Sequence, residues 1–326
     1  MNEYKGKQVL VTGGLGFIGS NLARKLVELG AEVTIVDNLI PEGGGNLFNI
    51  IGIKEKVRVY PGDIRDDWKM KHVILHKDYI FNLAGQTCHT DSMTAPFTDL
   101  DVNVHAQLML LELCRKYNPG VKIVYASTRQ LYGRPEYLPV DEAHPVRPVD
   151  INGVNKWAGE QYHLLYNNVY GIRSCVLRLT NTYGQGMRIK DAKQMFLGIW
   201  IRCLLEDQPF EIWEGHHLRD FNYVDDVVSA FLVAGISEQA NGQVYNLGGT
   251  EPISLYCLGK LLIDVYGSGE FVAKMIPDER KKIDIGNCYL DSNKIQRELG
   301  RVPEVSLSVG LERTVDYYKK NWEKYV

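Results

Sequence analysis

The stretch Val9-Leu10-Val11-Thr12-Gly13-Gly14-Leu15-Gly16-Phe17-Ile18-Gly19-Ser20 decides how the first half of the chain folds. Val9 to Val11 form a short apolar run that reads as a strand buried on both faces. Three glycines follow at a fixed spacing. Gly13 allows a sharp turn out of the strand, Gly16 lets the backbone approach a pyrophosphate, and Gly19 lets the next helix pack against the sheet. Ser20 to Leu29 has a helical pattern ending at Gly30, and Val33-Thr34-Ile35-Val36 reads as a second strand that delivers Asp37 to its C-terminal end. A carboxylate at that place suits the two ribose hydroxyls of NAD and repels the extra phosphate of NADP. Strand, glycines, helix, strand and acid in one unit therefore predict a site for NAD, with Asn38 beside the acid.

The alternation continues. Val57-Arg58-Val59-Tyr60 leads to Gly62-Asp63-Ile64, and Tyr79-Ile80-Phe81-Asn82-Leu83 leads to Ala84-Gly85. Ala106 to Lys116 reads as a helix, Lys122 to Ala126 as a strand ending at Ser127-Thr128, Trp157 to Tyr170 as a long helix, and Ser174 to Arg178 as a strand. This order predicts an α/β fold with a doubly wound parallel sheet of the Rossmann kind, its ligands at the C-terminal strand ends. Beyond Gly184 the elements shorten. Asp225 to Ile236 reads as a helix, and Val244 to Leu247 as a strand returning to the main sheet. Residues 1–180, with 221–248 returning to them, are expected to form the NAD-binding domain. Residues 181–220 and 249–326 are expected to form a smaller, interleaved substrate-binding lobe, with the tail from Val309 as a terminal helix docked on it.

The bulk numbers are those of an ordinary globular protein. The chain has 326 residues, 24% charged and 45% hydrophobic, with a formal net charge of -3. That balance gives no reason to expect nucleic acid or an anionic membrane as a partner. No apolar run is long enough to span a bilayer. The six cysteines are scattered and the eight histidines lack ligand spacing, so no metal site is expected. Free thiols and the immediate start of the first strand point to a cytoplasmic protein. His89 and His105 read as ordinary loop or helix residues.

With these residues in view, the chain resembles the extended short-chain dehydrogenase/reductases, in the branch of NAD-dependent nucleotide-sugar epimerases and dehydratases that includes UDP-glucose 4-epimerase. Thr12 to Gly19 resembles the cofactor loop of that family, so Gly13, Gly16, Phe17, Ile18 and Gly19 are expected at the cofactor. Gly62-Asp63-Ile64-Arg65-Asp66 resembles the segment whose Asp meets the adenine. Asn82-Leu83-Ala84-Gly85-Gln86 resembles the strand end beneath the nicotinamide ribose, and Asn103 sits where the family has a helix asparagine. Arg178-Leu179-Thr180-Asn181-Thr182-Tyr183-Gly184 is similar to a turn beside the sugar. Leu218-Arg219-Asp220-Phe221-Asn222-Tyr223-Val224-Asp225-Asp226 is similar to a stretch whose Arg contacts the substrate diphosphate. The resemblance implies Asn181, Arg219 and Arg280 as substrate-binding residues. It also implies a homodimer built through Ala106 to Lys116 and Trp157 to Tyr170, with Leu164, Leu165 and Tyr166 as sources of apolar surface.

The family's catalytic residues are a Ser or Thr after one strand and a Tyr-x-x-x-Lys pair on the next helix. In this chain Thr128 supplies the hydroxyl and Lys156 the cation, but Asn152 stands where the Tyr would be. An amide cannot exchange a proton near neutral pH as a phenol can. Three readings stay open: another group, such as Thr128 through water or Tyr183, moves the proton; solvent or substrate does so; or the protein binds cofactor and sugar nucleotide without turnover. Arg129-Gln130 occupies the place of the Asp-Glu pair of the dehydratases, which argues against loss of water. The expected function is NAD-dependent epimerisation of a nucleotide-diphosphate hexose. The alternatives are a sugar-nucleotide-binding protein without turnover, and a dehydrogenase or dehydratase acting on the same class of substrate.

Overall fold

The computed structural model describes residues 2–40, 43–191 and 195–326. Seven strands form one parallel sheet: β1 (Gln8–Thr12), β2 (Glu32–Asp37), β3 (Val57–Pro61), β4 (Tyr79–Asn82), β5 (Lys122–Thr128), β6 (Ser174–Leu179) and β7 (Val244–Leu247). Their spatial order is β7-β6-β5-β4-β1-β2-β3. Both faces are apolar, as a parallel sheet with helices on each side requires. Val9, Val11, Ile35, Phe81 and Val124 join one core, with Leu22 and Leu26 of helix α1 (Phe17–Glu28). Leu10, Val36, Ile80 and Ile123 alternate with them and join a second core, against Met70 of α2 (Asp67–Val73) and Leu110 and Leu111 of α3 (Ala106–Tyr117). The period of two along each strand thus fills two cores at once.

Two more helices frame the site. Helix α4 (Ile151–Tyr170) begins six residues before the sequence pattern suggests, because Asp150 caps it: the carboxylate accepts from Gly153 N at 2.6 Å. Asn152, Gly153 and Asn155 are poor helix formers, so propensity alone reads this turn as loop. The cap and the contacts described below override it. Helix α5 (Val224–Ile236) packs Val227 and Phe231 into the first core and leads on to β7.

The remaining described strands form three short pairs. Asn181–Tyr183 runs parallel to Phe221–Tyr223, Phe210–Trp213 runs parallel to Phe271–Lys274, and Leu218–Arg219 is antiparallel to Ile253–Ser254. The terminal helix, Leu307–Asn321, packs mainly against the helix Leu255–Tyr266. Beyond it, the tail reaches back to the loop after β2, where Tyr325 Oη donates to Asn49 Oδ1 at 2.6 Å and Asn46 Nδ2 donates to Lys324 O at 2.8 Å. Buried tyrosines need partners for their hydroxyls, and Tyr325 finds them in Asn49 and in Tyr317 Oη of the terminal helix at 2.5 Å.

One buried ion pair ties the sheet to α4. Glu160, with no exposed surface, accepts from Arg178 through both carboxylate oxygens and from Ser127 Oγ at 3.0 Å. Arg178 also donates to Tyr132 Oη at 2.6 Å, and that hydroxyl donates to Asn246 Oδ1 at 2.7 Å. The chain of contacts joins α4, β5, β6 and β7. Replacing Glu160 with Ala strands a buried guanidinium, and urea unfolding of Glu160→Ala is expected to show a loss of about 3–5 kcal/mol.

Candidate active site

The C-terminal ends of β1, β2 and β4 form the first half of the site. Gly13 has φ +67°, and a Cβ on Gly19 would lie 2.2 Å from the Gly13 carbonyl oxygen, so the loop closes this tightly only without side chains. Gly16 caps α1 without a side-chain acceptor, which leaves the first-turn amides of Phe17, Ile18 and Gly19 turned to the loop. Such an N-terminus favours an anion. Asp37, 9% exposed at the end of β2, accepts from Leu15 N at 3.0 Å and from Leu39 N at 2.9 Å. Burial pushes its carboxyl above the usual range, and the backbone donors oppose that shift. Its carboxylate keeps lone pairs for further donors. Beside it, Asn38 Nδ2 donates to Asp63 Oδ2 at 2.9 Å, and Arg65 holds the Asp63 carboxyl well below the usual carboxylate range. Ile64 is buried next to them.

At the end of β4, Thr12 Oγ1 accepts from both Leu83 N and Ala84 N at 3.1 Å and donates to Asn82 Oδ1 at 2.9 Å. Leu83, Ala84 and Gly85 stay partly open along this edge. Lys156 arrives from below. Its Nζ donates to Ala126 O at 3.0 Å and lies 5.0 Å from the Tyr125 ring centroid. A Cβ on Gly85 would sit 2.8 Å from that Nζ, so glycine is what lets the ammonium reach the strand edge. Burial pushes the Lys156 ammonium down to about 8, and the Asp99 carboxylate pulls the other way. These groups fit a dinucleotide: a cradle with no side chains, an acid at β2, and a cation beneath the open end of β4.

Asn152 lies one turn before Lys156 on α4, yet it is 1% exposed and turned into the protein. Its Nδ2 donates to Gln86 O at 2.7 Å and to Asp99 Oδ2 at 2.9 Å, and its backbone N donates to Ser92 Oγ at 3.2 Å. Asp99, with no exposed surface, also accepts on Oδ1 from Asn103 Nδ2 at 2.9 Å and Asn155 Nδ2 at 2.8 Å. Asn103 stands on a wide π turn, Asp101–His105, and shares Gln86 O as an acceptor at 3.0 Å. The amide at position 152 therefore fixes the loop after β4.

The second half of the site lies beyond β5. Thr128 is half-buried, and its Oγ1 accepts from Gln130 N at 3.2 Å. Arg129 Nη1 donates to Thr180 Oγ1 at 3.4 Å, and Gln130 Nε2 donates to Asp150 Oδ2 at 2.9 Å. Arg219 is 7% exposed, donating to Leu218 O at 3.0 Å and to Gly286 O and lying 3.5 Å from Asp284 Oδ1. Burial, reinforced by the nearby Arg129 charge, pushes the Arg219 guanidinium down to about 10. Asn181 Nδ2 donates to Asp220 O at 2.9 Å. Arg280 is exposed and stacks over Trp213 at 4.6 Å. Tyr183 is not available as a proton carrier: it has no exposed surface, and its hydroxyl donates to Leu307 O at 3.3 Å.

Sequence reasoning missed Asp99 and Asp150, and it gave Gln86 no role of its own within the segment after β4. Asp150 was legible as a helix cap three residues before Gly153. Asp99 and Gln86 carry no local signal, since their partners come from distant segments. The amide cluster predicts a sharp effect: Asn152→Asp, nearly the same shape, sets a second carboxylate against Asp99 and removes the donor to Gln86 O. Thermal and urea unfolding of that variant are expected to show a loss of about 3 kcal/mol or more, as for an unpaired buried charge.

Comparison with known proteins agrees with this layout. Residues 9–248 match the profile described as the NAD dependent epimerase/dehydratase family. A Methanocaldococcus jannaschii protein provisionally named a UDP-glucose 4-epimerase is 36% identical over 316 residues, 96% of this chain and 99% of that protein. The crystal structure of a Thermotoga maritima UDP-glucose 4-epimerase with UDP-glucose superposes with a TM-score of 0.89 at 33% identity, covering 97% of this chain and 99% of that one. The dTDP-glucose 4,6-dehydratase DesIV of Streptomyces venezuelae, crystallised with NAD and TYD bound, superposes at 0.86 with 27% identity, covering 97% and 98%. A match that runs from the first strand of the sheet to the last, joined to likeness over nearly the whole length of these proteins, makes this chain a member of the NAD-dependent epimerase/dehydratase family.

Proposed function

We propose that the chain interconverts epimers of a nucleotide-diphosphate hexose, with NAD taking up and returning a hydride within one turnover. The observation that carries this reading over dehydration is the pair after Thr128. Elimination of water needs groups that give and take protons beside the sugar. Arg129 donates to Thr180 through Nη1 at 3.4 Å, and the Gln130 amide donates to Asp150. Neither is a carboxylate. The likeness to two proteins named as UDP-glucose 4-epimerases supports the same reading.

NAD supplies the two-electron chemistry, and the chain supplies position and charge. In this reading Gly13, Gly16, Phe17, Ile18 and Gly19 hold the pyrophosphate, Asp37 and Asn38 the adenosine ribose, and Asp63 and Ile64 the adenine. Leu83, Ala84 and Gly85 line the nicotinamide ribose, with Lys156 donating to its hydroxyls. A cation at that place also stabilises negative charge developing on the substrate oxygen. Thr128 donates a hydrogen bond to the reacting sugar oxygen. Arg219, fixed at one edge by carbonyls, offers its remaining N–H groups to the diphosphate, as a guanidinium fork suits phosphate oxygens. Asn181 and Arg280 complete the substrate contacts. Asn152 positions the loop after β4 and moves no proton.

A second reading, binding without turnover, is favoured by that same buried amide. One assay separates them. With NAD and a panel of UDP-, GDP-, CDP- and dTDP-hexoses, chromatography with mass detection is expected to show a new product of unchanged mass and no accumulated NADH absorbance. A product lighter by water would mean dehydration, steady NADH growth would mean net oxidation, and binding with no product would mean loss of turnover.

We also propose a homodimer built on α3 and α4. Val154, Leu165 and Val169 are 47%, 49% and 61% exposed along α4, and Phe97 just before α3 is 78% exposed. A second copy presenting the same stripe is the complementary partner that such a surface asks for. Tyr166 is not part of it: it is buried, donating to Glu112 Oε1 at 2.6 Å. Sedimentation is expected to give a dimer for the native chain and a folded monomer for Leu165→Glu combined with Val169→Glu.

A further inference from the structure

Hydride removal from a carbinol carbon leaves a hydroxyl proton that must go somewhere, and the amide of Asn152 cannot take it. A replacement has to be titratable, reachable from the cleft, oriented by a fixed partner, and placed beside the start of α4. His89 is the titratable, part-exposed side chain that lies beside the cap of α4. It opens the short helix His89–Thr94 that follows the β4 loop. Its Nδ1 lies 3.1 Å from Asp150 Oδ2, and its side chain is 37% exposed while that of Asp150 is 0%. Asp150 is itself immobile, capping α4 through Gly153 N and accepting from Gln130 Nε2 at 2.9 Å. Gln130 N in turn donates to Thr128 Oγ1. Imidazole, carboxylate and hydroxyl thus belong to one chain of contacts at the end of β5.

The loop that carries His89 is held from its other side. Asn152 Nδ2 and Asn103 Nδ2 both donate to Gln86 O, three residues before the histidine, and Asn152 N donates to Ser92 Oγ, three residues after it. Ser92 Oγ closes the turn by donating to His89 O at 2.7 Å. The residue that replaces the phenol therefore anchors the segment that presents an imidazole. The 3.1 Å approach of Nδ1 to the Asp150 carboxylate favours a proton on Nδ1, which would leave the Nε2 lone pair free, the tautomer a general base needs. The other buried aromatic groups near Lys156 do not serve. Tyr125 and His163 stack on each other at 4.5 Å beneath the strand, fully buried, and burial pushes the His163 ring down to about 3.

We propose that His89, oriented by Asp150, exchanges the proton of the reacting sugar hydroxyl in place of the phenol. This rests on the reading of the chain as an NAD-dependent isomerase of nucleotide sugars. In the oxidative half, the O–H bond breaks and its proton bonds to His89 Nε2. The C–H electron pair leaves as hydride to bound NAD, and the carbon and oxygen form a ketone. After the sugar turns over, hydride returns to the other face and the imidazolium gives its proton back to the oxygen. Protons and electrons balance over the cycle.

The test uses the full chain with NAD and a sugar nucleotide that the native protein converts. His89→Gln is expected to lose about 10²-fold or more in kcat, the scale of general acid–base catalysis, with sugar-nucleotide binding by calorimetry and the melting temperature unchanged. His89→Ala is expected to recover activity with added imidazole, and His89→Gln is not. In ¹⁵N spectra the neutral ring is expected as the Nδ1–H tautomer, and Asp150→Asn is expected to abolish that preference. Native-like kcat in His89→Gln, loss in both variants without recovery by imidazole, or an Nε2–H ring would each overturn the role of His89. Absence of any conversion by the native protein would instead overturn the isomerase reading on which it rests.

Discussion

The carboxylate of Asp99 is the constraint on which the arrangement of the site depends. It has no exposed surface and is satisfied by the side-chain amides of Asn103, Asn152 and Asn155. A buried charge tolerates no missing partner, so three stretches of chain are obliged to meet around it. Those stretches are the π turn before α3, the first turn of α4, and, through Gln86 O, the loop after β4. Lys156, one turn further along α4, then comes up under Gly85 at the sheet edge. Its ammonium is destabilised by burial and supported by the same carboxylate. The cation is held by Ala126 O and the Tyr125 ring, and Asp99 offsets part of the cost of its burial.

This explains why an amide at position 152 is compatible with a site that keeps the rest of the family pattern. A phenol reaching into the cleft and an amide turned into the protein make opposite demands on the start of a helix. The amide serves Asp99 and Gln86, drawing the 86–92 segment against α4. Asp150, at the cap, serves the helix terminus and lies 3.1 Å from Nδ1 of His89. In the proposed reaction the proton carrier and the positioning group are separate residues on separate elements, where the family pattern combines them in one side chain.

The two halves of the site are held by polar contacts that cross between segments far apart in sequence. Glu160 and Arg178 lock α4 to β6, and Tyr132 extends that contact to Asn246 on β7. Asp220 accepts from Thr180 and from the backbone of Gly249 and Leu290, gathering four chain segments near Arg219. The C-terminal tail reaches Asn46 and Asn49 after β2. Most of these are buried polar groups whose partners come from other segments of the chain, which is what keeps a cleft between short elements in one shape.

The sequence by itself determined the sheet, the glycine loop, Asp37, and the register that places Lys156 and Asn152 on one helix. These are carried by local pattern: apolar period along strands, glycine where the backbone must close, and spacing along a helix. It also showed that a phenol is absent. The direction in which Asn152 points, the burial of Tyr183 and the meeting of His89 with Asp150 were decided only by tertiary structure. Their partners are tens of residues away, and a hydrogen bond between distant side chains leaves no mark on local composition. His89 read as an ordinary loop residue because the carboxylate that orients it belongs to the cap of a helix 61 positions later.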